Sequence, residues 1–355
     1  MEQQNHFQIL KPFLSMLAEQ KKISYQDAFK AFEAIMSGDA SNAQIGAFLM
    51  GLRQNGETID VISAAVSVMR QKMQVVKAPD DAIDIVGTGG DGAKTLNIST
   101  STAFVVAGCG VHVAKHGNRA FSSLSGAADI LQALGVNLDA ELAVIERAIR
   151  TAKIAFLMAP KYHTAMRFVG PARAELGFRT LFNILGPMSN PANVRRLLVG
   201  CYSPHYLEPM AQTLARLGCK RCWMIHGHQN FASQKDQTGF DEISICGPTK
   251  VVEWHNDKLD HFEITPQDAD CKVSPSEDIK GGDSAYNAKR LIQLLKNQDQ
   301  SGYYEMVVLN SAAAFVIAGA AKSLVEGAQM ARRSIAEGHA LNALNHLIKI
   351  TNQST

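Results

Sequence analysis

The sequence predicts an α/β protein in two parts. A small N-terminal helical domain precedes a larger α/β domain with a mostly parallel central sheet. Three observations predict this. The 355 residues exceed the ~250–300 at which a single hydrophobic core usually stops growing. The first seventy residues carry apolar side chains at three- and four-residue spacing. From Ala82 onward, short apolar runs alternate with glycine-rich loops and helical stretches, as strands joined by crossover helices do.

Composition narrows the class further. Apolar residues make up 46% and charged residues 19%, which suits a folded chain rather than a disordered one. Lys and Arg number 35 against 33 Asp and Glu, giving a net charge of +2, and no basic run exceeds two residues. A nucleic-acid binder would show a basic stripe, so no nucleic-acid partner is expected. Six cysteines are too sparse for a disulfide scaffold, and the first ten residues lack the basic-then-apolar pattern of a signal peptide. The expected compartment is a reducing cytoplasm. The most apolar stretch, Met306 to Val325, carries Asn310, Ser311 and Lys322. It reads as a buried helix, not a membrane span.

The elements follow in order. Phe13, Met16 and Leu17 share one helical face, Ala31, Phe32 and Ile35 a second, and Ile45, Phe48, Leu49 and Leu52 a third. Ser24 with Asp27 three residues on forms a loose capping box; Ser41 opens the next helix and Thr58 another. Such faces suit either packing within one chain or a dimer interface. The helical domain is expected over 1–75 and the α/β domain over 76–355. Strands are expected at 82–87, 111–115, 195–203 and 219–227, and within 242–254, including Ile243 to Cys246. Between them, a proline-punctuated segment at about 163–190 reads as an excursion back to the helical domain. His228 to Thr238 is polar and Gln-rich, as a surface loop is.

Three groups of residues could carry chemistry. Gly87-Thr88-Gly89-Gly90-Asp91-Gly92 ends a strand ahead of the helix opened by Asn97, Ile98, Ser99 and Thr100. Its glycines let the backbone approach a ligand closely, and a helix N-terminus favours an anion such as a phosphate or diphosphate. No Gly-Lys-Ser/Thr follows, so this is not a Walker loop. Asp91 would repel a bare phosphate, which hints at a metal-bound or hydroxyl-bearing ligand. Lys115-His116-Gly117-Asn118-Arg119, with Ser122, Ser123 and Ser125, again follows an apolar run and suits a sugar-phosphate. The adjacent carboxylates Asp241 and Glu242 could hold Mg2+ through a few oxygens, with phosphate completing the octahedron. Each group alone also fits a structural reading: a tight turn, a solvated loop, a surface acidic pair.

Together these loops, with the segment from Arg173 through Gly186-Pro187, resemble the anthranilate phosphoribosyltransferase family. The resemblance extends from the N-terminal helices to Gly281-Gly282-Asp283 and Leu309-Asn310. It implies the fold shared with nucleoside phosphorylases, usually as a homodimer. It also implies a Mg2+-dependent reaction of tryptophan biosynthesis, in which the amine of anthranilate displaces diphosphate from phosphoribosyl diphosphate (PRPP). Carried over by position, PRPP would meet Gly87, Gly90, Asp91, Thr95, Asn97, Ile98, Ser99, Thr100, Lys115, His116, Gly117, Asn118, Arg119, Ala120, Phe121, Ser122, Ser123 and Ala127. Anthranilate would meet Gly87, Asn118 and Arg173, with Pro187 and His163 lining its path. Mg2+ would fall on Ser99, Asp241 and Glu242. No membrane partner is implied.

The residues suit that chemistry. Charge develops on ribose and diphosphate as C1 loses its leaving group, where Mg2+, Lys115 and helix N-termini act. The aromatic amine is already neutral and nucleophilic, so positioning dominates. Arg173 supplies a planar fork for a benzoate carboxylate. His116 and His163 suit orienting substrate or accepting the late proton, or a structural role. The chain departs from the family pattern at Thr164, where proline is common, at Ala127, where serine is common, and in the longer segment 228–238. Two alternatives are a pyrimidine-nucleoside phosphorylase-like enzyme and an inactive nucleic-acid-binding relative. The intact Lys-His-Gly-Asn-Arg loop and the near-neutral charge argue against them. Cys219 and Cys222 with His226 and His228 lack a second cysteine pair at ligand spacing, so no zinc is expected.

Overall fold

A computed structural model describes residues 8–119, 124–230 and 239–353. Polar caps set where its first helices begin. After α1 (Lys11–Ala18), the side chains of Ser24, Ser41 and Thr58 each accept a backbone N–H three residues on, opening α2 (Tyr25–Ser37), α3 (Asn42–Asn55) and α4 (Ile59–Lys72). Ser41 completes a capping box with Gln44. Each such cap stabilises its helix by ~1 kcal/mol. The apolar faces meet as their spacing requires: Phe32 and Phe48 pack edge to face at 5.4 Å, both buried. Met16 is only partly buried.

The larger domain is an eight-stranded sheet among the described residues. Its strands are β1 (Ile83–Gly87), β2 (Val113–Gly117), β3 (Ile154–Met158), β4 (Arg196–Gly200), β5 (Arg221–His228), β6 (Gly239–Phe240), β7 (Thr249–His255) and β8 (Lys258–Ile264), in the order β3-β2-β1-β4-β5-β7-β8 with β6 on β5. The run from β3 to β5 is parallel, and β6, β7 and β8 join antiparallel. Helix α5 (Ile98–Gly108) follows β1; α6 (Ala127–Ala133) and α7 (Leu142–Thr151) lie between β2 and β3. Chain order reverses direction between β1 and β4, the switch point where open α/β sheets bind ligands beyond the carboxyl ends of their strands.

Three strands escape the sequence reading, among them the two-residue β6. The run forming β3 had no flanking glycine cluster, and β8 is an exposed edge strand whose alternation is mostly polar. One expected strand is absent: Ile243 to Cys246 is buried and irregular. Its backbone is satisfied by side chains instead of a ladder. Ile243 N–H donates to Asn310, Ser244 N–H to Thr249 Oγ1, and Cys246 N–H to Ser244 Oγ. His228, expected in a loop, is buried at the end of β5, while 231–238 lie outside the described residues.

The central segment is helical and broken by its prolines. It runs through α8 (Ala159–Tyr162), a 3-10 turn at Thr164–Phe168, α9 (Gly170–Leu176), α10 (Phe182–Leu185) and a second 3-10 turn at Gly186–Met188. It packs on the N-terminal helices: Phe182 meets Phe32 edge-on at 6.0 Å, and Arg70 donates twice to the Met188 carbonyl, at 2.9 and 2.7 Å. After α11 (Leu207–Arg216) and the antiparallel strands come α12 (Ser284–Leu295), α13 (Gly302–Ala318), α14 (Leu324–Ala336) and α15 (His339–Thr351). Helix α13 is apolar all round and buried nearly throughout, which is how the Met306 stretch is used. Among the described residues, no helix is long and apolar enough to cross a membrane.

Candidate active site

At the switch point, β1 and β4 end side by side, Gly87 opposite Gly200. A Cβ at either glycine would strike Asp241, so only glycines let the 241–242 segment cross these strand ends. Gly89, Gly90 and Gly92 all take positive φ (69°, 76° and 77°), conformations that side chains resist. Asp241 accepts the Gly89 N–H at 2.6 Å, and Glu242 accepts the Ser99 N–H at 2.9 Å in the first turn of α5. Each carboxylate thus occupies a backbone donor of the kind that binds phosphate oxygens.

Behind them, the buried Lys115 donates to Ile85 O at 2.6 Å and to Ser99 Oγ at 3.2 Å. Burial lowers its pKa, opposed by Asp84, Glu242 and Asp241. Asp84, fully buried, accepts from His116 N–H at 3.1 Å and Asn190 Nδ2 at 2.7 Å; burial pushes it up to about 6 against the pull of Lys115.

His116 and His163 lie together, ring centroids 5.1 Å apart, both buried. His116 Nδ1 lies 3.2 Å from the Gly186 carbonyl, so it donates, and Nε2 keeps its lone pair. Among the described residues, neither Nε2 has a partner. Burial lowers the two pKa values to about 3 and about 4, helped at His116 by His163, so both rings are neutral at physiological pH. Arg173 stands on α9 with its guanidinium 5.7 Å from the Phe182 ring centroid, half-buried and without a carboxylate partner among the described residues. Burial lowers its pKa too. An unpaired, part-desolvated guanidinium is a prepared carboxylate site.

The remaining expected residues divide. Ile98 and Thr100 are buried in the first turn of α5. Asn97 does not cap α5; its side chain donates to Ser125 O and accepts from Asn287. Thr95 forms a bridge with Lys280. Gly117 ends β2, and Asn118 next to it is exposed, its Oδ1 accepting Arg119 N–H at 2.7 Å. The Arg119 guanidinium turns onto α6, bound to Asp129 at 3.0 Å and Gln132 at 2.9 Å. Ala127 is the first residue of α6. Pro187 sits buried in the turn beside His116's partner Gly186. Ala120, Phe121, Ser122 and Ser123 lie outside the described residues.

Sequence reasoning passed over Asp84, Asn190 and the part played by Asn310. Asn310 accepts Ile243 N–H at 3.0 Å and donates to Ile243 O at 2.9 Å, pinning the residue after Glu242. A charged or amide group inside an apolar run was the available signal for Asp84 and Asn310. Buried groups of that kind are kept for their hydrogen bonds.

The acidic residues also fit a divalent cation. Asp241 is held well above the usual carboxylate range by burial and by repulsion from Asp91 and Glu242, and burial pushes Glu242 up to about 7 despite Lys115. A cation relieves such crowding. Among the described residues, no three His, Cys, Asp or Glu side chains make a complete metal site. Mg2+ commonly completes its shell with hydroxyl or phosphate oxygens and water beside one or two carboxylates.

Known proteins resemble this arrangement along nearly the whole chain. The profile of the glycosyl transferase family helical bundle domain matches residues 11–73, and that of the same family's a/b domain matches 79–341. An anthranilate phosphoribosyltransferase of Brucella suis is 48% identical over 343 residues, covering 97% of this chain and 98% of the relative. The crystal structure of the Thermus thermophilus anthranilate phosphoribosyltransferase superposes with a TM-score of 0.89 at 37% identity, covering 96% of this chain and 99% of that one. The Saccharomyces cerevisiae enzyme, solved in complex with PRPP and Mg, superposes at 0.86 with 28% identity, covering 96% and 97%.

Proposed function

The chain belongs to the anthranilate phosphoribosyltransferase family, and from that membership we infer how its cleft divides the work. The reaction transfers the phosphoribosyl group of PRPP to the amine of anthranilate, giving N-(5-phosphoribosyl)anthranilate and diphosphate in tryptophan biosynthesis. PRPP lies along the loops after β1 and β2, its diphosphate facing the Gly-rich loop and the N-terminus of α5. Asp241 and Glu242 release the Gly89 and Ser99 donors as the substrate enters. Ser99, Asp241 and Glu242 hold Mg2+, which, when bound, neutralises charge on the departing diphosphate. Lys115 supplies a fixed positive charge behind the same point.

Anthranilate enters along the central segment. Arg173 takes its carboxylate as a fork, Gly87 and Asn118 border it, and Pro187 walls its path. The neutral rings of His116 and His163 offer two lone pairs to the amine. An arylamine becomes strongly acidic once its nitrogen attacks C1, so a base as weak as these imidazoles can accept the proton. The chain's own residues thus bind, orient and deprotonate. The observation that carries this reading is the pairing of two carboxylates on backbone anion sites with an unpartnered Arg173, in a segment that itself touches the PRPP loops through Gly186 and His116.

We assign 1–75 and about 163–190 to the helical domain, because Phe182 and Met188 pack on α2 and α4. The exposed Ile9 and Met50 beside α1 and on α3 support a homodimer through these helices, which light scattering will report as twice the chain mass. Six free cysteines suit a cytoplasmic home. The decisive experiment mixes the protein with PRPP, Mg2+ and anthranilate. Loss of anthranilate fluorescence with diphosphate release is expected. Fluorescence that persists, alongside cleavage of a pyrimidine nucleoside by phosphate, would transfer the site to the phosphorylase class.

A further inference from the structure

Arg179, in the turn between α9 and α10, takes part in none of the roles above. Its guanidinium donates through Nη2 to the Gly90 carbonyl and lies over the Tyr202 ring, Cζ 4.4 Å from the centroid. A Cβ at position 90 would come within 3.3 Å of its Nε. Tyr202 reaches the other end of the same loop, its N–H donating to Thr88 Oγ1 at 3.0 Å. Behind Tyr202, the Tyr206 ring packs edge-on at 5.9 Å, and its hydroxyl donates to Glu57 Oε2 at 2.7 Å. Arg53, on α3, donates to the Arg179 carbonyl at 3.3 Å. A continuous chain of contacts therefore joins the α3–α4 corner of the helical domain to the Gly-rich loop. Arg179 is the member of it that holds Gly90.

The loop needs an anchor. Gly89, Gly90 and Gly92 are free to adopt many backbone conformations, and a free loop would lose that entropy on closing around a diphosphate. A peptide unit is planar and trans, so fixing the Gly90 carbonyl toward Arg179 fixes the Asp91 N–H in the opposite direction. Arg179 itself is exposed, so burial does not account for its ordering. Two simultaneous contacts on one planar group do, and a lysine could not reproduce them.

We propose that Arg179 is a positioning residue for PRPP: clamped on Tyr202, it pre-sets the Gly-rich loop and ties that loop to the helical domain. This rests on the PRPP reading of the site. The test uses Arg179→Met, Arg179→Lys, Tyr202→Leu and the double variant with Arg179→Met. Both KM values are measured, together with the PRPP Kd by calorimetry without anthranilate. Arg179→Met should raise the KM and Kd for PRPP roughly tenfold, the effect of one lost contact, and leave the anthranilate KM nearly unchanged. Arg179→Lys should recover little of this. Tyr202→Leu should act in the same direction more weakly, and the double variant should be no worse than Arg179→Met, since the two act in series. Should Arg179→Met fail to fold, the lysine and Tyr202 variants carry the comparison.

An unchanged PRPP Kd with a lowered melting temperature would make Arg179 a structural tie and overturn the proposal. Full rescue by lysine would also overturn it, because charge near the diphosphate would then suffice. Additive effects of the two single variants would do the same. A wild-type protein that neither binds PRPP nor consumes anthranilate would instead remove the reading on which the proposal stands.

Discussion

Arg173 concentrates the difference between the two substrates in one side chain. It has no carboxylate partner among the described residues and is half-buried, so its removal strands an incoming carboxylate and disturbs little else. Arg173→Ala should raise the KM for anthranilate far more than that for PRPP, by ~2–4 kcal/mol of transition-state binding, read from steady-state kinetics in both substrates. Equal damage to both would place the carboxylate elsewhere. The histidine pair makes a pH prediction. With His116 held down to about 3 and His163 to about 4, neither ring titrates near neutrality, so kcat should show no imidazole limb over roughly pH 6–8. Stability has the opposite dependence. Below the ordinary histidine value of 6.5, the unfolded chain takes up protons that the folded rings refuse. The contribution of these rings to stability is thus full above that value and falls as pH drops toward 4, which a urea midpoint series will follow.

At the scale of elements, the acidic pair depends on a helix distant in sequence. Asn310 in α13 supplies both an acceptor and a donor to Ile243, where a ladder would otherwise have done so. Asn310→Ala leaves the buried Ile243 N–H and C=O without protein partners, a cost of ~2–3 kcal/mol. The 241–242 segment should then loosen, and the Mg2+ concentration for half-maximal rate should rise while the anthranilate KM holds. Denaturant unfolding and a Mg2+ titration check the two halves. An unaltered Mg2+ requirement would mean that the strand ends, not α13, place the carboxylates. The turn at Thr164–Phe168 begins where relatives commonly carry proline. Threonine is at its first position, which would accept proline, but His163 before it has ψ 58°, short of the extended value that proline prefers in its predecessor. Thr164→Pro is therefore expected to change the anthranilate path by moving His163, visible as a shift in anthranilate KM with PRPP binding unaffected.

Across the whole molecule, the helical domain meets the sheet domain directly, where Ser63 and Asp60 of α4 bond to Thr213 and Arg216 of α11, and also through the central segment. Phe182 is one apolar contact in that second joint, between Phe32 on α2 and the Arg173 guanidinium. Phe182→Ala should destabilise the protein by ~3–5 kcal/mol and also weaken anthranilate binding, because Arg173 loses the ring beneath it. Phe182→Leu should restore most of the stability and little of the anthranilate affinity. Thermal unfolding and KM measured on the two variants separate these effects. If leucine restores both equally, the ring acts only as volume.

What depends on near neighbours was legible in the sequence. Capping at Ser24, Ser41 and Thr58 works across three residues, helical faces repeat within one or two turns, and the glycine-rich turn announces itself in six residues. The fold class follows from the order of such elements, and the family from the motifs on its loops. What depends on distant residues was not legible. The path of Ile243 to Cys246 is set by Asn310 and Thr249, so a β-rich composition there gave no strand. The Arg119 guanidinium is turned onto Asp129 and Gln132 by the start of α6. Asp84 looked like one polar residue in an apolar strand until folding placed His116, Asn190 and Lys115 around it. Hydrogen bonds and charges at these sites are decided by which groups share a desolvated volume, and only the closed tertiary structure brings those groups together.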